Sequence, residues 1–202
     1  VGDNEKIGLW SITGNHISSQ MVNIHLDNTH GISITGNTFI RGYDRHMIIE
    51  NSRNVIVNAN IFDHNKDYAP RGDLYNPGGI SISESINLII GDNIIDGVDH
   101  ESEGAITVTE SKEISLTGNH ISNPKHLGIQ INSSANIRVI DSRIYEDVNT
   151  SSMLSAIELN GTNPGTLIRN NSIERGQDGD IVNNGSEVII EGNITDGQYS
   201  DR

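Results

Sequence analysis

The stretch DHNKDYAPRGDLYNPGG, residues 63 to 79, gathers Asp63, His64, Lys66, Asp67, Arg71, Asp73 and Tyr75 within 17 positions. These residue types suit proton abstraction next to a carboxylate. A base must take the α proton, and a cation must neutralise the carboxylate as charge builds. Lys66 or His64 can serve as base, Arg71 as the neutralising cation and Tyr75 as an acid for the leaving oxygen. Hydrolysis of a glycosidic bond would instead need two carboxylates about 5–10 Å apart. Asp63, Asp67, Asp73 and Asp99 are eligible for that.

Other segments add polar groups. RGYDRH at 41 to 46, DGVDHESEG at 96 to 104 and SNPKH at 122 to 126 are loop-like. His25, His46, His64, His100 and His126 are expected along one side of the molecule. His25, Asp27, His46, Glu50, His100 and His126 are the expected substrate-binding set. Asp99, Glu101 and Glu103 offer oxygen ligands of the kind Ca2+ takes, making Ca2+ the expected cofactor. Such an ion would help an acidic protein bind an acidic polymer.

What positions these residues is a repeat. ISITGNTFI at 32 to 40 returns as LIIGDNII at 88 to 95 and ISLTGNHIS at 114 to 122. Its Asn recurs at Asn15, Asn37, Asn60, Asn93, Asn119, Asn171 and Asn193, with Ser142 in the remaining slot. The spacings of 22, 23, 33, 26, 23, 29 and 22 define a core of about 22 residues with insertions at set places. Apolar residues stand three before each mark and two after it, except that Thr195 breaks the pattern at the end, and in the inner units they stand again 13 and 11 before it, as Ile80 and Ile82 do. Ile157 and Leu159 fit after a shift of one residue. Period-two alternation of this kind means strands, three per unit, separated by polar turns. No unit can bury its apolar face alone, so the units are expected to stack as coils of a solenoid. About eight coils would make a rod roughly 35–40 Å long. At each corner one residue must adopt the left-handed conformation, which Asn tolerates, and stacked corners would put Asn amides one above another.

Composition agrees. With 34% hydrophobic and 4% aromatic residues an ordinary globular core would be thin, yet 33 Ile and 25 Asn supply strands and turns. The net charge of -14, with no basic stripe, excludes a nucleic-acid partner. No apolar run approaches a membrane span, and the absence of cysteine excludes disulfides. The chain opens at VGDNEK without a start Met, so a single domain over 1–202 is expected, as a mature product or as a fragment with further coils or domains in a parent chain.

The units GISISESINLIIGDNII (79 to 95) and GIQINSSANIRVIDSRI (128 to 144) resemble the repeat IxIxxSxNIxIxGNxI of right-handed parallel β-helix proteins in the pectate-lyase-like superfamily. The likeness covers nearly the whole chain. It implies an all-β, right-handed parallel β-helix with an Asn ladder between the second and third strands of each coil. It also implies a site on the outer face of the first strands, flanked by the loops joining third to first strands. Extracellular or cell-surface location follows from the fold's usual company. Function is not narrowed far, because that superfamily holds polysaccharide lyases, glycoside hydrolases, uronate epimerases, tailspikes and adhesins. Two readings stay open. One is a polysaccharide-active enzyme, lyase before hydrolase or epimerase, with its groove on coils two to five. The other is a non-catalytic carbohydrate-binding, adhesin, tailspike or structural module.

Overall fold

The computed structural model describes residues 7–64, 77–146, 152–174, 176–185 and 187–195. Lys66, Asp67, Arg71, Asp73 and Tyr75 lie outside them. Among the described residues every regular element is a β-strand. Coil four shows the plan with strands Ile80–Ser83, Ile86–Gly91 and Ile94–Asp96. Each pairs in parallel with its counterparts in the neighbouring coils: Ile80 opposite Ile106, Leu88 opposite Ile114, Ile95 opposite Phe62 and Ile121. The molecule makes about seven turns. The expected eight falls short because the described part of coil one has no first strand. Second strands form one sheet. First and third strands share another because Thr38–Glu50 runs unbroken from the third strand of coil two into the first strand of coil three.

The repeating apolar positions are the core. The row Phe39, Phe62, Ile95, Ile121, Ile144 and Ile173 is buried, as is the row Ile34, Val57, Ile90, Leu116, Val139 and Ile168. Ile157 and Leu159, shifted by one in sequence, still stand opposite Ile129 and Ile131. The insertion before them is therefore absorbed in the loop, not in the strand. The Phe39 and Phe62 rings stack with centroids 4.7 Å apart and planes 9° from parallel. Each of these side chains removes apolar surface worth roughly 1.5–3 kcal/mol from water. A thin average hydrophobicity suffices because the repeating apolar positions of successive units face one continuous axis, even though others such as Ile89 and Ile94 stay exposed.

The corners correct one expectation. The left-handed residue is not the marked Asn but the one before it: Gly36 (φ 65°), Ala59 (55°), Asp92 (51°), Gly118 (65°) and Asp141 (54°). Bending the chain there frees the next residue to turn its side chain inward, where it serves the backbone. The Asn37 N–H donates to Asn60 Oδ1 at 2.9 Å, Asn60 N–H to Asn93 Oδ1 at 3.0 Å, and Asn93 N–H to Asn119 Oδ1 at 3.2 Å. Each amide group also donates backwards, as Asn93 Nδ2 does to Val57 O at 3.0 Å. Ser142 keeps the chain of bonds but reaches less far, accepting from Asn119 N–H at 3.3 Å.

A second ladder occupies the corner between first and second strands. Ser52, Ser85 and Ser111 N–H groups donate to Ser85, Ser111 and Ser134 Oγ, each at 3.1 Å, and Ser134 N–H donates to Asn163 Oδ1 at 2.9 Å. Here too the preceding residues, Asn51, Glu84, Glu110 and Ser133, have positive φ. Buried corner backbone groups thus find partners without water.

Asn93→Ala strands the Asn60 N–H and the Val57 carbonyl in a dry interior. It should lower the unfolding free energy by about 2–4 kcal/mol. Ser142→Asn should raise it by about 1 kcal/mol by restoring the full bonding pattern. Urea titration of the two variants checks both signs.

Candidate functional site

Where the third strand ends, alternation sends Phe62, Ile95 and Ile121 inward and Asp63, Asp96 and Ser122 outward. Asp96 stands opposite Ser122 in register. Its Oδ1 accepts from Ser122 Oγ at 2.6 Å and Asn123 Nδ2 at 2.9 Å. Its Oδ2 lies 3.2 Å from His64 Nδ1, and Asp63 Oδ1 lies 3.8 Å from the same nitrogen. Burial alone would raise the Asp96 pKa. The hydrogen bonds from His64, Ser122 and Asn123, with the nearby His64 charge, outweigh it and hold the carboxyl at about 2. Gly97 covers His64: its φ is +66°, and a Cβ on it would fall 2.4 Å from Nδ1. His64 is only 2% exposed, so the expected solvent-facing base is sealed.

His46 is also inside the molecule, at 0% exposure, and does not line a substrate surface. Its ring meets Phe62 edge-on with centroids 5.5 Å apart. Asn23 Nδ2, which can only donate, lies 3.3 Å from His46 Nδ1. Nδ1 is therefore the acceptor and the ring proton sits on Nε2. Burial first, then repulsion from His64, push the His46 pKa down from 6.5 to about 4.

The exposed polar groups form a rim beside the first strands. Asp99 binds Lys125 Nζ at 2.7 Å and His126 Nε2 at 3.3 Å. Arg45, which the expected loop RGYDRH places between coils but which sits on the continuous strand Thr38–Glu50, reaches Glu103 after coil four at 2.9 Å and pairs with Asp44 at 3.1 Å. His25 Nε2 contacts Glu50 Oε1 at 2.5 Å, and Asn51 Nδ2 donates to Asp27 Oδ1 at 3.3 Å. His100 Nδ1 accepts from Ser102 N–H at 3.4 Å. The expected Ca2+ ligands are not gathered round one point: Asp99 and Glu103 are neutralised by different cations, and Glu101 is exposed in the turn between them. Among the described residues the group whose donor atoms converge is Asp63, His64 and Asp96, within 4.8 Å of one another. Asp96 and Lys125 were passed over as site residues. Asp96 carried a usable signal, because it follows the mark Asn93 by three residues as Asp63 follows Asn60.

Unfolded His46 takes up a proton near pH 6.5, whereas the folded ring resists until about 4. The stability this confers is complete above 6.5 and is lost as pH falls through that window, since the unfolded state binds more protons there. Between about pH 7 and pH 4.5 the folded protein should lose roughly 2–3 kcal/mol on this account. His46→Gln, which keeps an acceptor for Asn23, should show a shallower slope of urea-derived stability against pH. An unchanged slope would place the titrating group elsewhere.

Residues 104–201 match the family model described as "Right handed beta helix region". No curated protein matches the chain in sequence. Among solved structures, the periplasmic alginate epimerase AlgG superposes with a TM-score of 0.71 at 16% identity, over 93% of this chain and 45% of the other. PfbA, a surface adhesin of Streptococcus pneumoniae, gives 0.67 at 14% identity, over 92% and 55%. An alginate lyase from Paenibacillus gives 0.57 at 16% identity, over 94% and 70%. The chain spans about half the length of the first two. The stacked parallel coils, the repeat and these likenesses agree on the fold: the chain is a parallel β-helix whose residues 104–201 match the right-handed β-helix family and whose architecture is similar to that of these proteins.

Proposed function

We propose that the chain acts on an acidic, uronic-acid-containing polysaccharide by β-elimination, at the rim formed by the loops after coils four and five. The observation that carries this reading is the Asp99 carboxylate set between Lys125 Nζ at 2.7 Å and His126 Nε2 at 3.3 Å, beside the N-terminal end of the first strand Leu127–Asn132. All three side chains are partly exposed, so a polymer lying along the first strands can meet them. Asp99 holds a proton on His126 Nε2 and leaves Nδ1 basic. His126 takes the proton at the carbon next to the sugar carboxylate. Those electrons form the new C=C bond, and the C–O bond to the next sugar breaks. The leaving oxygen regains a proton from water or an acid. Lys125 neutralises charge on the sugar carboxylate as it develops.

His64 does not act as base here, because it is sealed under Gly97. Lys66, Arg71, Asp73 and Tyr75 lie outside the described residues and keep their proposed parts in the same chemistry, Tyr75 as the acid, with Ca2+ as an auxiliary ion for an anionic polymer. Two of the similar folds, an alginate epimerase and an alginate lyase, are named for a uronic-acid polymer, which supports the substrate class. An extracellular or cell-surface setting fits the periplasmic epimerase and the surface adhesin among these folds.

A second reading rests on a separate observation. Thr109, Asn132, Asn160 and Asn184 form an outward row on the first strands, linked by hydrogen bonds of 3.3, 3.1 and 2.8 Å. Beside it Gln130 Nε2 donates to Glu158 at 3.2 Å. Such a strip offers amides to sugar hydroxyls without acid–base chemistry, as a binding module would.

The test is incubation with a panel of uronic-acid polymers, with and without Ca2+. Ultraviolet absorbance reports unsaturated ends, and reducing-sugar release reports hydrolysis. His126→Ala and Lys125→Met should each cut the elimination rate at least about tenfold. Turnover unaffected by either change would overturn this site. Polymer binding without any product would favour the non-catalytic reading.

A further inference from the structure

We propose that Asp63, His64 and Asp96 form a site for a divalent transition-metal ion, clasping the third strands of coils three and four. This inference is independent of the elimination chemistry above. It begins with donor geometry. Two ligand atoms about 2.0–2.2 Å from one ion at a near-tetrahedral angle lie roughly 3.3–3.6 Å apart. His64 Nδ1 is 3.2 Å from Asp96 Oδ2 and 3.8 Å from Asp63 Oδ1, which brackets that separation for two of the three pairs; all three donors lie within 4.8 Å, so a turn of the Asp63 side chain closes the set.

The second observation is bracing. Asp96 presents Oδ2 to the cluster because Oδ1 is held by Ser122 Oγ at 2.6 Å and Asn123 Nδ2 at 2.9 Å, both from the next coil. Hydrogen bonds to the non-ligating oxygen of a carboxylate are what orient it for a metal. The imidazole is equally fixed: the ring is 2% exposed and lies under Gly97, where any side chain would collide with it. The two carboxylates reach solvent to different degrees, Asp63 at 40% and Asp96 at 23% side-chain exposure. One buried imidazole, one braced half-buried carboxylate and one more exposed carboxylate leave room for water to complete the coordination.

The donor set selects the metal. Ca2+ takes six to eight oxygens, so one imidazole and two carboxylates suit it poorly. Imidazole with carboxylates suits Zn2+ and its first-row neighbours. The site therefore differs in place and in chemistry from the Ca2+ trio expected at Asp99, Glu101 and Glu103. On binding, the ion replaces the proton on Nδ1, and the neutral ring keeps one on Nε2.

The test uses the purified chain, stripped with chelator and titrated with Zn2+ by calorimetry and with Co2+ by visible absorption. Binding of one ion per chain is expected, with a rise in melting temperature and Co2+ bands showing nitrogen and oxygen ligation. Asp63→Asn, an exposed change that should leave the fold intact, should weaken binding at least about tenfold. His64→Ala should abolish it, with circular dichroism confirming folded protein. Asp99→Asn should change nothing, which separates this cluster from the Asp99–His126 pair. No saturable binding, or binding that persists in Asp63→Asn but is lost in Asp99→Asn, would overturn the proposal. Ca2+ competing with Zn2+ at equal concentration would also overturn it.

Discussion

The structure depends on one interaction: a side-chain oxygen from coil n+1 accepting a backbone N–H of coil n at a bent corner. Parallel strands satisfy one another along their lengths, but a corner breaks the ladder and leaves its N–H pointing at nothing. A solenoid of about seven turns repeats that problem at every corner. Asn37, Asn60, Asn93 and Asn119 solve it at one corner, and Ser52, Ser85 and Ser111 at another. The left-handed residue before each is the companion requirement, since it turns the following side chain inward. Gly is frequent there for conformational reasons, and at Gly118 for a steric one as well: a Cβ would fall 2.4 Å from Asp92 Oδ1 of the coil below.

The same rule explains where chemistry can sit. Positions inside the ladders and apolar rows are bound to their equivalents one coil away, so a change there disturbs neighbouring coils. Loops between third and first strands are free of that constraint and vary in length. They hold Asp99, Glu103, Lys125 and His126, while Asp44 and Arg45 stand on the continuous strand that joins coils two and three. Ion pairs here tie one inter-coil connection to another: Arg45 to Glu103 skips an entire coil. At 16% and 28% side-chain exposure that pair is shielded enough to position both connections, though not enough to dominate stability.

Most of the fold was legible because the repeat is written in residue types with a single physical use. Ile or Val at four positions per unit and Asn at the corner leave little freedom once stacking is assumed. The serine ladder was not read, although its serines stand in the quoted repeat. A serine in a polar turn looks like ordinary turn chemistry until its partner one coil away is known. The marked Asn was assigned the strained backbone itself, because Asn tolerates that conformation. The actual division of labour, strain on one residue and hydrogen bonding on the next, needs coordinates to see. Of the candidate site, the pairing of His25 with Glu50 and of Asp99 with His126 joined residues already singled out, whereas Asp96 and Lys125 came from the structure.

The two misplaced histidines show why alternation fails at one spot. Counting back 14 residues from each mark gives Asn23, His46, Gly79, Ala105 and Gly128, with Ala156 in the shifted coil. Period two would turn this row outward, since the next residue in each coil is core. Yet from His46 to Ala156 the row is buried. A Cβ on Gly79 would fall 2.0 Å from Ala105 O, and one on Gly128 would fall 2.5 Å from Ala156 O. The incoming loop therefore enters the first strand by pressing its backbone against the next coil, and only small side chains fit. His46 is the large exception. It is accommodated where the aromatic stack of Phe39 and Phe62 offers a ring edge and Asn23 offers a donor. A neutral histidine at that point still buries its Nε2 without a partner, and a charged one is disfavoured more strongly. Glycine and alanine at the other positions of this row are the signature of a buried entry to the strand, and they mark the boundary between scaffold and the exposed rim beside it.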